Sequence, residues 1–296
     1  MTSSTAAHAE LVRKYYDQNT AAFDRLGQGG ASIHRAVWAP GVRTRAESFH
    51  YVDELILAAL PIDVTQPAGR PDVTDRQPTV VDLGCGLGAS LMYLAGRAPI
   101  RGVGLTISPK QAEGATRLLD AAGLGDRVRC REGNYLEVPA DLYATADLVF
   151  SIEAFLHSPD ASGYFREAAR VLRPGGRLMV CDDFLTPEAA GATGPRGRRL
   201  AEFRDGWRVG SLLTVAQVQA AAADHGLELI QQVDLTPYLE LRRPRDRFIA
   251  ALVAAGRPLR LSGEYWKMLA GGDALQWCLL NGLLDYRVLA FRARAN

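Results

Sequence analysis

Residues Thr79-Val80-Val81-Asp82-Leu83-Gly84-Cys85-Gly86-Leu87-Gly88-Ala89-Ser90 decide the fold. Val80, Val81 and Leu83 form a short apolar run bounded by a turn signal, which reads as a buried strand. Gly84, Gly86 and Gly88 let the backbone bend sharply and a ligand approach closely. A helix follows from Ser90. Asp82 sits near the carboxyl end of the strand, where open α/β sheets bind ligands.

Outward from that stretch, strands and helices alternate. Strands are predicted at 80–83, 102–107, 128–132, 146–151 and 177–181. Helices are predicted at 90–95, at 109–122 with Pro109 in its first turn, and at 162–171, ended by Arg173-Pro174-Gly175-Gly176. A helix at 214–225, a strand at 229–233, a helix running from Arg242-Arg243-Pro244-Arg245-Asp246-Arg247 to about 255 and a final strand at 286–292 complete the pattern. This order predicts an α/β fold with a parallel sheet covered by helices on both faces. The Gly-, Ala- and Pro-rich stretch 186–197 reads as a mobile loop or lid. Ahead of the sheet lie helices at 10–23 and 47–60, a glycine break at 27–30 and a linker at 61–78. The chain therefore divides into an N-terminal helical cap and linker, 1–78, and a sheet domain, 79–296, with substrate-covering insertions around 186–212 and 236–285. No internal repeat is present.

At 296 residues and 48% hydrophobic, the chain can bury a sizeable core. A formal charge of +1 gives no global case for nucleic acid or membrane binding. Cys85, Cys130, Cys181 and Cys278 are scattered without a CxxC pair and read as buried free thiols in a reducing compartment. No apolar run reaches membrane-spanning length, and the N-terminus lacks the basic start and apolar core of a signal peptide. The expected location is cytoplasmic.

A glycine turn of this kind holds either a dinucleotide or another nucleoside cofactor. The dinucleotide fingerprint needs G-x-G-x-x-G and an acidic residue about 20 positions later. Here the spacing is G-x-G-x-G, and strand two ends in Leu105-Thr106-Ile107-Ser108. The stretch Val81–Gly88 instead resembles the first motif of class I S-adenosylmethionine (SAM)-dependent methyltransferases. The resemblance continues in order through 102–111, Gly133-Asn134-Tyr135, 147–153 and 172–176, and covers roughly 79–185. It implies a Rossmann-like sheet, mostly parallel with an antiparallel final strand, and SAM as cofactor. Gly84, Gly86 and Gly88 would approach the cofactor, and Asp82 would orient its amino end or the loop. Strand two lacks the usual ribose-binding carboxylate. Gly104-Leu105-Thr106-Ile107-Ser108-Pro109-Lys110-Gln111 is similar to the version in cyclopropane fatty acid synthases and tocopherol methyltransferases. Thr106 and Gln111 would then take the ribose, with Ile107 beside them. Asn134 and Tyr135 would meet the adenine, and the segment containing Ser151 would close the cofactor cleft.

The acceptor side is read from strand four and the cap. Glu153 and His157 lie one helical turn apart at a strand end and are candidate bases. Tyr16 joins them as a candidate catalytic residue. Tyr15, His34, Arg35, Trp38, Arg45, His50 and Tyr51 are candidate substrate contacts, being aromatic or basic and close to the sheet's front edge. The runs Tyr15–Thr20 and Ile33–Trp38 look like those of actinobacterial isoprenoid C-methyltransferases, which methylate prenyl diphosphates or terpenes. That resemblance implies methyl transfer to an alkene carbon, a carbocation stabilised by aromatic faces, and loss of a proton to Glu153. Arginines with Mg²⁺ would hold the diphosphate, and an N-terminal helix would support a homo-oligomer. Asp182 and Asp183 end strand five and are candidate metal ligands or ordinary strand-end carboxylates; the metal site stays open. O- or N-methylation in a secondary-metabolite pathway, a methyltransferase-cyclase and a non-enzymatic SAM-fold module remain alternatives.

Overall fold

The computed structural model describes residues 3–26, 34–61, 76–257 and 263–294. The predicted glycine break at 27–30, Ile33, the side chains of Gln18, Asn19 and Thr20, and residues 62–75 of the predicted linker lie outside the described residues. Seven strands form one sheet: β1 (Thr79–Leu83), β2 (Arg101–Thr106), β3 (Val128–Glu132), β4 (Ala146–Ile152), β5 (Leu172–Leu185), β6 (Leu227–Asp234) and β7 (Leu284–Ala293). Their order is β3-β2-β1-β4-β5-β7-β6. The first five are parallel, and β7 enters antiparallel between β5 and β6. Strand order reverses between β1 and β4, which opens a crevice beyond their carboxyl ends.

β1 reads as a continuous apolar run because both of its faces are covered. Val80 enters one core, and Val81 and Leu83 enter the other. The first core is closed by α2 (Arg45–Ala58), α3 (Ala89–Arg97) and α4 (Pro109–Ala121), through Val52, Ile56, Leu91, Leu94 and Leu119. The second is closed by α5 (Ala161–Val171) and α7 (Val215–Ala223), around Phe155, Tyr164, Phe165 and Phe291. Each fully buried side chain of this size contributes roughly 1.5–3 kcal/mol. The helix starts are set by side-chain caps. Thr44 and Glu47 form a capping box for α2, Ser108 and Pro109 open α4, and Asp160 accepts from the Gly163 amide to open α5. The remaining helices are α1 (Ser3–Leu26), α6 (Gly194–Gly206), α8 (Pro244–Gly256) and α9 (Glu264–Leu280).

Besides α9, for which the sequence reading predicts no helix, two elements differ from it. The loop predicted at 186–197 is cut short, because α6 starts at Gly194. Pro195 suits its first turn, and Leu200 and Phe203 pack into a third core with Leu275 and Cys278 of α9. This helix pair crosses closely: a Cβ on Gly206 would lie 2.7 Å from the Gly271 Cα. β5 also begins five residues earlier than the predicted 177. Its pairing shifts between Ala146↔Leu172 and Leu148↔Arg177, so the Arg173–Gly176 turn is an irregularity within the strand rather than its boundary.

Candidate active site

A cavity of about 480 Å³ lies over the crevice. One of its walls comes from β1, β2, β3 and α4. The amides of Gly84 and Cys85 both donate to the Leu105 carbonyl at 2.9 Å, which pins the glycine turn to the neighbouring strand. Gly84 has φ 127°, and a Cβ there would lie 2.4 Å from the Ala154 Cβ, so only glycine fits. Asp82 lines the cavity at 4% exposure, without a hydrogen-bond partner among the described residues. Burial pushes its carboxyl well above the usual carboxylate range. Thr106 Oγ1 donates to Gln111 Oε1 at 2.7 Å, and the Gln111 amide donates to the capping Ser108 Oγ at 3.2 Å. These bonds fix the Gln111 side chain with its Nε2 buried and unpartnered. Asn134 is braced by the Leu136 amide at 2.9 Å, and Tyr135 donates to the Ala154 carbonyl at 3.1 Å. Gly86 and Ile107 complete this wall. Two residues expected here lie outside the lining. Gly88 starts α3, and Ser151 is hydrogen-bonded to Tyr164 at 2.7 Å beneath the sheet. Ser151 lies two residues from Val149, so strand alternation puts both on the α5 side.

The opposite wall carries the acid–base groups. His157 ends the short 3₁₀ turn Phe155–His157 after β4 and is buried. Its Nδ1 lies 3.3 Å from the Arg208 carbonyl, which can only accept, so Nδ1 carries the proton. Nε2 is then the acceptor for the Tyr16 hydroxyl at 2.9 Å. Burial drives the His157 pKa down to about 4, so the ring is neutral at ordinary pH. Burial also pushes the Tyr16 phenol well above its ordinary value, and Tyr15 packs edge-on against it with ring centroids 5.4 Å apart. His8 Nε2 donates to the His157 carbonyl at 3.1 Å and adds a second tie between α1 and this turn.

Glu153 has φ 50°, an unusual value for a side chain with a Cβ, and its amide donates to the Cys181 carbonyl at 2.8 Å. Its Oε1 accepts from the Arg35 amide and from Tyr286 Oη, both at 2.9 Å. Oε2 has no partner among the described residues. The Arg35 guanidinium makes a two-pronged pair with Asp183, at 2.7 and 2.6 Å, and rests over the Tyr286 ring. His34 lines the cavity at 8% exposure, and both of its ring nitrogens are buried without a partner among the described residues.

Of the expected substrate contacts, Tyr15, His34 and Arg35 therefore reach the cavity, as does Tyr16. Trp38, Arg45, His50 and Tyr51 do not line it. The apolar stripe of α2 faces the first core. His50 consequently stacks on Tyr93 of α3 at 3.9 Å, Tyr51 packs against the core, and Arg45 lies over Phe49. Trp38 is held beside Tyr238 through its backbone amide. The sequence reading missed Tyr286, Leu241, Ile249, Met268 and Leu269, which support or line the apolar end. Of these, Ile249, Met268 and Leu269 belong to α8 and α9, inside the stretch predicted to cover the substrate.

Residues 81–180 match the methyltransferase domain family. The chain is 31% identical over 227 residues to 27-O-demethylrifamycin SV methyltransferase of Amycolatopsis mediterranei, which spans 77% of each protein. The chain belongs to the SAM-dependent methyltransferases. The methyltransferase is also 28% identical over 181 residues to the chloroplastic tocopherol O-methyltransferase of Arabidopsis thaliana, covering 60% of this chain and 50% of that one. Its fold is shared with the geranyl diphosphate C-methyltransferase of Streptomyces coelicolor A3(2), solved with Mg²⁺, geranyl diphosphate and S-adenosylhomocysteine. That likeness has a TM-score of 0.68 and 20% identity, and covers 96% and 97% of the two chains.

The first wall of the methyltransferase fits SAM. The orphaned Gln111 Nε2 would donate to a ribose hydroxyl, and the buried Asp82 carboxyl, unpartnered among the described residues, would suit the cationic amino end. The close Gly84–Ala154 approach leaves the turn backbone open to the ligand. A metal fits less well. Asp183 is committed to Arg35, and Asp182 accepts from the Leu156 and Asp183 amides at 2.9 Å each. No group of three or more potential metal ligands occurs among the described residues. No described helix is long and apolar enough to cross a membrane.

Proposed function

We infer that the enzyme methylates an oxygen of a bulky, largely apolar, uncharged small molecule. The observation that carries this reading is the neutral His157–Tyr16 pair on the cavity wall, in a site where Arg35 and Arg243 are already held by carboxylates. SAM supplies an electrophilic methyl group, which leaves a neutral thioether behind. An acceptor hydroxyl hydrogen-bonded to Tyr16 Oη loses its proton through the phenol as Tyr16 passes its own to His157 Nε2. That proton becomes strongly acidic as the oxygen gains the methyl group, so a weakly basic, buried imidazole suffices. The unpartnered nitrogens of His34 offer a second polar anchor, and Ile249, Met268 and Leu269 take the apolar body. The names of the rifamycin and tocopherol methyltransferases point the same way, toward bulky acceptors methylated on oxygen.

The second reading is an alkene carbon of an isoprenoid, with Glu153 Oε2 taking the proton. The free Oε2 favours it. A diphosphate would, however, need several cations, and of the arginines lining the cavity Arg35 is held by Asp183 and Arg243 by Asp246, which leaves Arg245 at the mouth. Incubation with methyl-labelled SAM separates the two. Label should enter hydroxylated macrocycles or phenols, and His157→Gln should abolish turnover while leaving S-adenosylhomocysteine binding intact. Label in geranyl diphosphate with Mg²⁺, lost in Glu153→Gln but retained in His157→Gln, would establish the carbon reading instead.

A further inference from the structure

The outer face of α8 is apolar where a surface helix is ordinarily charged. Phe248, Ala251, Leu252 and Ala255 recur at helical spacing and are all exposed. Phe248 is 71% exposed and Leu252 43%. The inner face, with Val253 and Gly256, is buried. The charges within α8 are confined to its first turn. There Asp246 is taken by Arg243, whereas Arg245 and Arg247, and Arg242 just before the helix, have no acidic partner among the described residues. An exposed apolar stripe thus runs into a cluster of unpaired arginines.

The same helix forms the mouth of the methyl-transfer cavity. Arg245 and Ile249 line it, and so does Tyr265 of α9, which is 71% exposed. We propose that α8 docks the enzyme on an anionic lipid surface, so that a lipophilic acceptor passes from the lipid into the cavity without crossing water. The arginines match anionic headgroups, and the Phe248–Leu252 stripe enters the acyl boundary beside them. A second copy of this chain is a poorer occupant, since a two-fold contact would set the same arginines against each other. The overall charge of +1 conceals this local concentration. The delivery step rests on the apolar-acceptor reading above; the docking itself does not.

Sedimentation with vesicles tests the docking without SAM or acceptor, so its outcome is independent of the labelled-substrate experiment. The protein should sediment with phosphatidylcholine vesicles containing about 30% phosphatidylglycerol, and far less with phosphatidylcholine alone. Salt at about 0.5 M should release it. Phe248→Glu with Leu252→Glu should lower binding about tenfold or more. Both residues are exposed, so melting temperature and S-adenosylhomocysteine affinity should stay at wild-type values. Equal binding by wild type and the double variant would overturn the proposal, as would wild type remaining in the supernatant with anionic vesicles. Light scattering that shows a dimer dissolved by the double variant would reassign the face to self-association.

Discussion

His157 makes stability depend on pH in a direction opposite to what a paired histidine would give. Burial lowers its pKa from 6.5 to about 4 in the folded protein. As pH falls through about 6.5, the unfolded chain takes up a proton that the folded chain refuses until about pH 4, so stability is lost across that window. A gap of about 2.5 pH units at about 1.4 kcal/mol each gives a full loss of about 3.5 kcal/mol. Between about pH 7.5 and about pH 5 the loss should be about 2 kcal/mol. His157→Gln removes the titrating group and leaves an acceptor for the Tyr16 hydroxyl. Denaturant unfolding of both proteins at the two pH values isolates the contribution. The wild type should lose about 2 kcal/mol more than the variant. The kcat/KM profile of the wild type should keep its acid limb near pH 4 rather than near 6.5. Identical pH dependence in the two proteins, within about 0.5 kcal/mol, would refute a neutral, buried His157 and with it the proton relay.

Gly84→Ala should cost about 2–4 kcal/mol and sharply weaken S-adenosylhomocysteine binding, because it combines the 2.4 Å clash with an unsuitable φ. Adding Ala154→Gly should recover the clash and leave only the backbone strain; no recovery in calorimetry would show that the contact is not limiting. Asp183→Ala should destabilise the fold by about 3–5 kcal/mol by stranding the Arg35 guanidinium, whereas Arg35→Met with Asp183→Leu should restore most of that loss. An Asp183→Ala protein that melts like wild type would mean the pair is replaced by solvent.

The first wall, proposed to hold SAM, is legible as a wall of the cavity because short-range constraints set it. The glycine turn, Thr106 with Gln111, and Asn134 with Tyr135 each lie within a few residues of the strand end that carries them. Ser151 is the instructive exception. Alternation along β4 puts it with Val149 against α5, so the period of the strand could have told its side chain from those of the cleft. The acceptor half depends on long-range packing. His50 and Arg45 read as substrate contacts by type, but α2 is steered by Val52 and Ile56 into the first core. α9 was not anticipated because Gly271 and Gly272 interrupt it, and they are tolerated where α6 crosses closely. Tyr286 looked like one more strand residue; only the antiparallel insertion of β7 beside β5 brings it to Glu153.

The two walls of the cavity also bear on how such an enzyme changes over generations. The wall proposed to hold SAM draws on β1 to β3 and α4. The acceptor wall draws on α1, the 34–36 segment, the 153–157 turn, the 239–249 stretch and α9, and its Glu153 is braced from β7. Few side chains belong to both, so substitutions on one side should combine almost additively with those on the other. A lineage can therefore rebuild what it modifies by drifting in Ile249, Met268 and Leu269 while Gly84, Thr106 and Gln111 stay fixed. One inherited methyl-donor seat can then serve acceptors of unlike shape.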